Sequence, residues 1–170
     1  EGGYQLETDS SSTGDNIRIV PSLEFIEASY GNNAASRITS ISADISLLTF
    51  NPSLLDDEQG GVYFSLSMES ATDGNNIGIQ VNALNSTSIT VFDLQNGVLI
   101  PLRTRSVGSI VARLRIDRNI ETGEVLLFLN DEQLTSANEF LTSNAAILPV
   151  LTVRDGGVII RITDWRITLR

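Results

Sequence analysis

Apolar and polar residues alternate along most of this chain with a period of two. The clearest example is the segment 62–69, whose apolar phase is Val62, Phe64, Leu66 and Met68. Successive side chains of a β-strand point to opposite faces, so this pattern predicts a strand with one buried face and one solvated face. Apolar residues at helical spacing are nearly absent. The chain is therefore predicted to consist almost entirely of antiparallel strands.

The same alternation recurs in further segments separated by turn-forming residues. The predicted strands are 38–50, 62–69, 77–82, 88–94, 98–103, 110–117, 124–130, 147–153 and 158–169. Turns with Asn-Gly, Asp-Gly or similar sequences are predicted at 72–76, 95–97, 121–123 and 154–157. Capping-type sequences predict two short helical turns, at 51–52 and 136–141. The turn spacing favours a two-sheet sandwich or barrel over the alternating strands and helices of a parallel sheet.

The apolar phase shifts once within the last predicted strand. Apolar residues occupy even positions up to Ile162 and odd positions from Trp165 onwards. A β-bulge near Thr163 and Asp164 would return both halves of the strand to the core and would direct Trp165 inward. We find no linker and no internal repeat, so we predict a single domain over residues 1–170.

Composition narrows the chemistry open to this domain. The 170 residues include no His and no Cys, and the 11 basic residues are all Arg. This excludes histidine-based catalysis, zinc fingers, disulfide frameworks and Schiff-base lysine chemistry. A net charge of -10 disfavours nucleic acid and anionic lipid surfaces as partners. No apolar run approaches the roughly twenty residues needed for membrane insertion. Because the chain lacks an initiator Met, we interpret it as a segment of a longer protein.

Two segments follow patterns that occur in a known class of proteins. In 108–134, a strand ending in Asp117 turns through Gly123 into a second strand that ends in Asn130; the segment 162–167 has the form of a closing strand. Both segments resemble concanavalin A-like jelly rolls, a class that includes lectins, glucanases and laminin-G-like domains. The resemblance implies an all-β, two-sheet antiparallel jelly-roll β-sandwich. It does not imply one function, because this architecture hosts lectins, glycosidases, adhesion modules and structural domains.

The outward phases of the predicted strands carry side chains that suit sugar hydroxyls. If the strands share one sheet, an aromatic ring would lie beside amide, carboxylate and guanidinium groups. The candidate ligand-binding residues are Tyr63, Glu69, Gln80, Asn82, Arg113 and Arg115. Tyr63 has an alternative role in cross-strand packing. Arg113, Arg115 and Arg118 would either form a basic strip for a carboxylated sugar or acidic partner, or pair with acids across the sheet.

Oxygen-bearing side chains in one predicted turn suggest calcium as a possible ligand. The candidate metal ligands are Asp117, Asn119 and Glu121, and comparable acidic turns lie at 56–58 and 73–76. Calcium takes carboxylate and carbonyl oxygens. The alternative is ordinary turn chemistry, because Asp and Asn favour turns without any metal. No other cofactor is expected. A formal glycosylation sequon lies at 85–87.

Glycoside hydrolysis needs only two carboxylates and would not require His or Cys. Glucanases of the class named above place Glu-x-Asp-x-x-Glu along one strand of the concave sheet, and this string does not occur here. The nearest approach, Glu69 with Asp73, is interrupted by a predicted turn. We therefore predict a non-catalytic, extracellular or cell-surface recognition module that binds a glycan. One alternative is a structural or adhesive module that makes protein contacts, and another is a hydrolase with carboxylates from separate strands.

Overall fold

A computed structural model of the chain describes residues 4–7, 16–49, 62–85, 88–95, 98–106, 110–134, 139–154 and 159–170. These residues form antiparallel strands, one α-helix and one 3₁₀ turn. The helix α1 is Leu23–Tyr30 and the 3₁₀ turn is Ala34–Arg37. The strands are β1 Tyr4–Glu7, β2 Asn16–Ile19, β3 Ile38–Thr49, β4 Val62–Ser70, β5 Asn76–Asn85, β6 Ser88–Gln95, β7 Val98–Ser106, β8 Ile110–Arg118, β9 Glu124–Leu129, β10 Glu132–Gln133, β11 Glu139–Phe140, β12 Ile147–Arg154 and β13 Ile159–Leu169.

The strands form two sheets, and neighbouring strands are antiparallel in both. The larger sheet, called the large sheet below, has seven strands in the order β1-β13-β3-β8-β9-β10, with β11 also paired to β9. The small sheet has six strands in the order β2-β12-β4-β5-β6-β7. Four consecutive strands, β4 to β7, pair as hairpin neighbours in the small sheet. The predicted two-sheet antiparallel sandwich is confirmed.

The core lies between the sheets and is built from the inward phase of each strand. In the small sheet Phe64 and Leu66 are at most 1% exposed, and in the large sheet Leu114 and Ile116 are fully buried. The predicted inward residues that the structure describes are buried: Phe64, Leu66, Met68, Ile77, Ile79, Val81, Ala112, Leu114 and Ile116. Alternation places these side chains on one face, and removal of their apolar surface from water stabilises the sandwich.

The predicted irregularity in the last strand is present in β13. Ile162 pairs with Ile45 and Asp164 pairs with Asp44, so Thr163 is the extra residue of a β-bulge. The bulge shifts the phase, and Trp165 packs inward against the core as predicted. Both halves of this long strand therefore contribute to the same dry interior.

Helix α1 was not predicted from the sequence. The Oγ atom of Ser22 accepts a hydrogen bond from the backbone N–H of Phe25 at 3.1 Å, which caps the first turn. The helix ends at Gly31, whose φ is 93°. Only Ile26 of this helix is buried. Two turns with a single buried residue are too short to produce a helical period in the sequence.

The two predicted helical turns have different outcomes. The turn at 51–52 lies outside the described residues. The prediction at 136–141 is wrong for Glu139 and Phe140, which form strand β11: Glu139 pairs with Val125 of β9 and Phe140 pairs with Glu124. Backbone pairing with β9 satisfies groups that a helical turn would have satisfied locally, so tertiary context overrides the capping sequence.

Candidate functional site

The six predicted ligand-binding residues do not form one site, because they lie on different sheets. Tyr63 and Glu69 are in β4, and Gln80 and Asn82 are in β5, all in the small sheet. Arg113 and Arg115 are in β8 of the large sheet. The outward faces of two stacked sheets point away from each other, so the predicted combination is wrong. The side chain of Tyr63 lies outside the described part of the chain.

The outer face of the small sheet carries a cluster of uncharged polar side chains, which we call the polar face. Its residues are Ser65, Ser67, Gln80, Asn82 and Thr90, with exposed fractions between 3% and 6%. The Nε2 atom of Gln80 donates to Oδ1 of Asn82 at 2.8 Å. Burial of polar groups is costly unless they are hydrogen-bonded. The hydrogen bonds within the polar face hold its amide and hydroxyl groups in fixed positions.

The register across the strands places an aromatic ring beside these groups. Phe92 of β6 pairs with Gln80 on one side and with Pro101 of β7 on the other. One row further along the sheet, Thr90 lies between Asn82 and Thr104, and the Thr90 and Thr104 hydroxyls are 2.9 Å apart. Phe92 is half-buried. The polar face therefore combines an aromatic surface with hydrogen-bonding groups, as saccharide sites do.

Sequence analysis missed Phe92, although the sequence contains a signal. The first part of β6 follows the usual alternation, with Val91 in the core, but the second part reverses it: Phe92 and Leu94 face outward, whereas Asp93 faces the interior beside Ile79. Sequences break local rules most often where a function compensates for the cost. An acidic residue in the inward phase, flanked by apolar residues in the outward phase, is a sequence pattern that could have indicated a candidate site on this strand.

Asp93 is a buried carboxyl group inside the sandwich. Asp93 is 2% exposed, and its Oδ2 atom accepts a 2.7 Å hydrogen bond from Nε2 of Gln95. Within the described part of the chain, its Oδ1 atom has no hydrogen-bond partner. Burial raises the pKa of Asp93, and the hydrogen bonds from Gln95 and from the Leu94 backbone oppose this rise. The polar face is therefore backed, on the inner side of β6, by an incompletely paired acid.

One ion pair lies at the end of the polar face. Glu69 of β4 pairs with the Nη2 atom of Arg18 of β2, which lies two strands away across β12. Among the described residues in the outward phase of the small sheet, Glu69 is the one carboxylate. The ion pair with Arg18 therefore places both charges at the margin of the uncharged polar face.

Charged residues cover the outer face of the large sheet, and we call this surface the charged face. Its residues are Asp44, Arg113, Arg115, Asp117, Asp131, Asp164 and Arg166. Nε and Nη2 of Arg113 donate to the two carboxylate oxygens of Asp44 at 2.7 and 2.8 Å. This bidentate contact lowers the pKa of Asp44 and raises the pKa of Arg113. The guanidinium of Arg115 lies 4.1 Å from the centre of the Phe128 ring.

Arg118 does not extend the basic strip considered above. Arg113 and Arg115 are in the outward phase of β8, whereas Arg118 has the parity of the inward phase and is 4% exposed. It donates to the backbone carbonyls of Thr142 and Ala145, both at 3.1 Å. Burial lowers the pKa of its guanidinium. Arg118 therefore holds the loop 141–146 against β8 and offers no surface charge.

The candidate calcium ligands lie together at the β8–β9 turn and line a depression of about 410 Å³. Their oxygens accept hydrogen bonds from the protein. Oδ1 of Asp117 accepts from the Ser40 hydroxyl at 2.7 Å, and Oε1 of Glu121 accepts from Arg170 at 2.7 Å. Oδ1 of Asn119 accepts from the backbone N–H of Glu121 at 2.9 Å. Within the described residues, no group of three or more acidic side chains is arranged to hold a metal. Calcium binding here stays a prediction.

The other acidic turns are only partly described. The turn 56–58 lies outside the described residues, as do residues 86–87 of the sequon. Asp73 caps its own turn, because its Oδ1 atom accepts from the Asn75 backbone at 3.0 Å and its Oδ2 atom accepts from the Thr142 hydroxyl at 3.1 Å. The Ser70 hydroxyl and then the Asn75 backbone lower the pKa of Asp73.

Two antiparallel sheets in this order define a jelly-roll sandwich, and comparison with solved structures confirms the concanavalin A-like resemblance at the level of the fold. The chain is similar to the carbohydrate binding module CBM66 from Bacillus subtilis, with a TM-score of 0.51 and 14% identity over 96% of this chain and 90% of that chain. It is also similar to a tetrameric galectin from the ball sponge Cinachyrella sp., with a TM-score of 0.51 and 7% identity over 91% of this chain and 98% of that chain.

A third similarity is to part of a larger protein. The GH43 protein BlXynB from Bacillus licheniformis matches with a TM-score of 0.50 and 10% identity, over 79% of this chain and 28% of that chain. No family model matches the chain, and no curated protein matches it. At these identities the comparisons establish the fold. Among the described residues, no helix has the length and apolar character needed to cross a membrane.

Proposed function

We propose that this domain is a non-catalytic carbohydrate-binding module that binds its glycan on the polar face of the small sheet. The observation that carries the proposal is the row of amides and hydroxyls from Gln80, Asn82 and Thr90, which lies beside the Phe92 ring. Apolar side chains would fill these positions at a lower desolvation cost. The presence of polar groups at these positions supports a role in recognising sugar hydroxyls.

The fold comparisons support the same proposal. One structure with this fold is named as a carbohydrate binding module and another as a galectin, and each is matched over most of both chains. Glu69 is in an ion pair with Arg18, and glycoside hydrolysis requires a pair of carboxylates across the bond that breaks. This supports a binding role without catalysis. An extracellular or cell-surface location belongs to the proposal, because glycans exposed outside the cell are the expected ligands.

The proposal is tested by screening the domain on a glycan array, with calcium and with chelator, followed by titration of the best ligand. We expect Phe92→Ala, which removes the half-buried ring, and Asn82→Ala, which removes the acceptor that orients the Gln80 amide, each to weaken binding by about tenfold. Val111→Ala is the matched control, because Val111 is 65% exposed on the opposite sheet. Absence of binding on the array under both conditions, or equal losses in all three variants, would overturn the proposal.

The adhesive alternative is favoured by one separate feature. Strand β7 is an edge of the small sheet, and Val98, Leu99 and Ile100 in it are 62%, 41% and 39% exposed. Apolar side chains on an unpaired edge suit contact with another protein. Light scattering of wild type and Val98→Glu would distinguish the two functions, since an adhesive edge predicts association that the charge abolishes.

A further inference from the structure

Two arginines of the charged face are supported by neighbouring side chains, and the Nη1 atom of each faces a further partner. Arg113 uses Nε and Nη2 to bind both oxygens of Asp44. Arg115 packs on Phe128, and its Nε atom lies 3.4 Å from Oδ2 of Asp117. Asp44 and Phe128 lie on the two strands that flank β8, and Asp117 lies on β8 itself. The bidentate pair holds the guanidinium of Arg113, the Phe128 ring supports that of Arg115, and the Nη1 atom of each faces a further partner.

Both Nη1 atoms are directed at the same carboxylate, which belongs to a turn. Oδ2 of Asp131 lies 4.0 Å from Nη1 of Arg113, and Oδ1 lies 3.5 Å from Nη1 of Arg115. Asp131 is in the two-residue turn between β9 and β10, where Asn130 and Asp131 have φ values of 51° and 63°. Its side chain is 60% exposed. The contacts are longer than charge-assisted hydrogen bonds, so Asp131 occupies this position weakly.

We propose that the point where the Nη1 atoms of Arg113 and Arg115 converge is a binding site for the carboxylate of a uronic acid in an acidic oligosaccharide. In the unbound domain the Asp131 carboxylate lies at this point and competes with the ligand. When the ligand binds, its carboxylate replaces that of Asp131 and pairs with the same two guanidinium groups. The supports, Asp44 and Asp117, keep their own contacts.

The surroundings favour a sugar over an acidic peptide. Two depressions of about 320 and 310 Å³ meet at this point, and both include Arg113 and Asp131. Besides the arginines and the carboxylates of Asp44, Asp117, Asp131 and Asp164, their lining carries the hydroxyl groups of Ser40, Ser42, Ser46, Thr163 and Thr168. Each depression has the size of a small ligand site, and hydroxyl groups match the donors and acceptors of a pyranose ring.

The test measures binding of oligogalacturonate to the folded domain by isothermal titration calorimetry. The methyl-esterified oligomer is the neutral control ligand. We expect Asp131→Asn to bind oligogalacturonate about fivefold more tightly than wild type, because one exposed competing ion pair is removed. We expect Arg115→Lys to weaken binding about fivefold, since the planar fork is lost while the charge is kept.

Glu132→Gln is the matched control variant. Glu132 follows Asp131, is 57% exposed and pairs with Arg103, so its substitution removes the same charge one residue away. We expect Glu132→Gln to bind like wild type. Equal gains in Asp131→Asn and Glu132→Gln would mean a general charge effect and would overturn the proposal. Binding of the methyl ester as tightly as the acid, response to an acidic peptide alone, or no binding in any variant would also overturn it.

This site is independent of the proposed glycan site, because the two lie on opposite outer faces of the sandwich. Asn82→Ala is therefore expected to leave oligogalacturonate binding unchanged, whereas Asp131→Asn is expected to leave binding at the polar face unchanged. The two proposals can therefore be tested separately, and failure of one would not decide the other. Thermal melting of every variant checks that the fold is retained.

Discussion

Replacing Gly123 by alanine tests how firmly the β8–β9 turn is packed against the loop 141–146. Gly123 has a φ of 81°, and a Cβ atom built there would lie 2.0 Å from the backbone oxygen of Leu141. That oxygen cannot move alone, because the backbone N–H of Leu141 donates to the Gly123 carbonyl at 2.9 Å and that of Asn144 donates to Ile120 at 3.0 Å. The substitution therefore pushes the whole loop away from the turn.

The expected cost has two parts. A non-glycine residue in the left-handed region costs about 1 to 2 kcal/mol. Displacement of the loop disrupts the Leu141 hydrogen bond and the carbonyls of Thr142 and Ala145 that serve buried Arg118, at about 1 kcal/mol for each lost contact. We expect Gly123→Ala to lower the free energy of unfolding by about 4 to 5 kcal/mol, measured by urea denaturation with the slope held common to both proteins.

Gly74→Ala separates the two parts. Gly74 also has a positive φ, of 72°, but a Cβ atom there meets nothing within 4 Å. We expect this control to lose only the backbone cost, about 1 to 2 kcal/mol. If the two variants lost the same stability, the reasoning about loop packing would be refuted.

Three further results are expected. Asp93→Asn should stabilise the domain by about 1 kcal/mol at pH 7, because it removes a charge from a buried group. The folded pKa of Asp93 is raised, so the penalty in wild type is absent below its unfolded pKa of about 3.9 and grows as the pH rises; an advantage that grew towards low pH in parallel melts would contradict this. Leu114→Ala should cost about 2 to 5 kcal/mol, since Leu114 is fully buried, whereas Val111→Ala should cost under about 0.5 kcal/mol; similar losses in denaturation would contradict the assignment of the strand faces. The predicted calcium site at the β8–β9 turn should give a higher melting midpoint with calcium than with chelator; equal midpoints would contradict it and would mean that these oxygens serve only their hydrogen bonds within the protein.

The sandwich and its core could be predicted because alternation is a local property. The phase of Phe64 and Leu114, and the slip of phase before Trp165, follow from the sequence alone, since each side chain faces opposite to its neighbours whatever the sheet pairs with. The short helix at 23–30 and the short edge strands β1, β2, β10 and β11 were not predicted. Each spans too few residues to show a period. Strands β1 and β2 are defined by pairing with strands near the other end of the chain, and β10 and β11 by pairing with nearby β9.

The candidate sites show the same division. The residues Gln80, Asn82, Arg113 and Arg115 were found from their outward phase, but phase says nothing about which sheet a strand joins. Assignment to sheets depends on pairing between segments far apart in the chain, such as β4 with β12 and β3 with β8. That pairing places Gln80 and Asn82 in the small sheet and Arg113 and Arg115 in the large sheet.

The amino-acid sequence by itself determined that the chain alternates in strand fashion, that it is acidic without His, Lys or Cys, and that it bends the last strand at Thr163. The tertiary structure alone decided which polar groups meet: Phe92 beside Gln80, and Asp131 between two guanidinium groups. The physical reason is that side-chain direction along a strand is fixed by local backbone geometry, whereas proximity across strands arises only when the whole core closes.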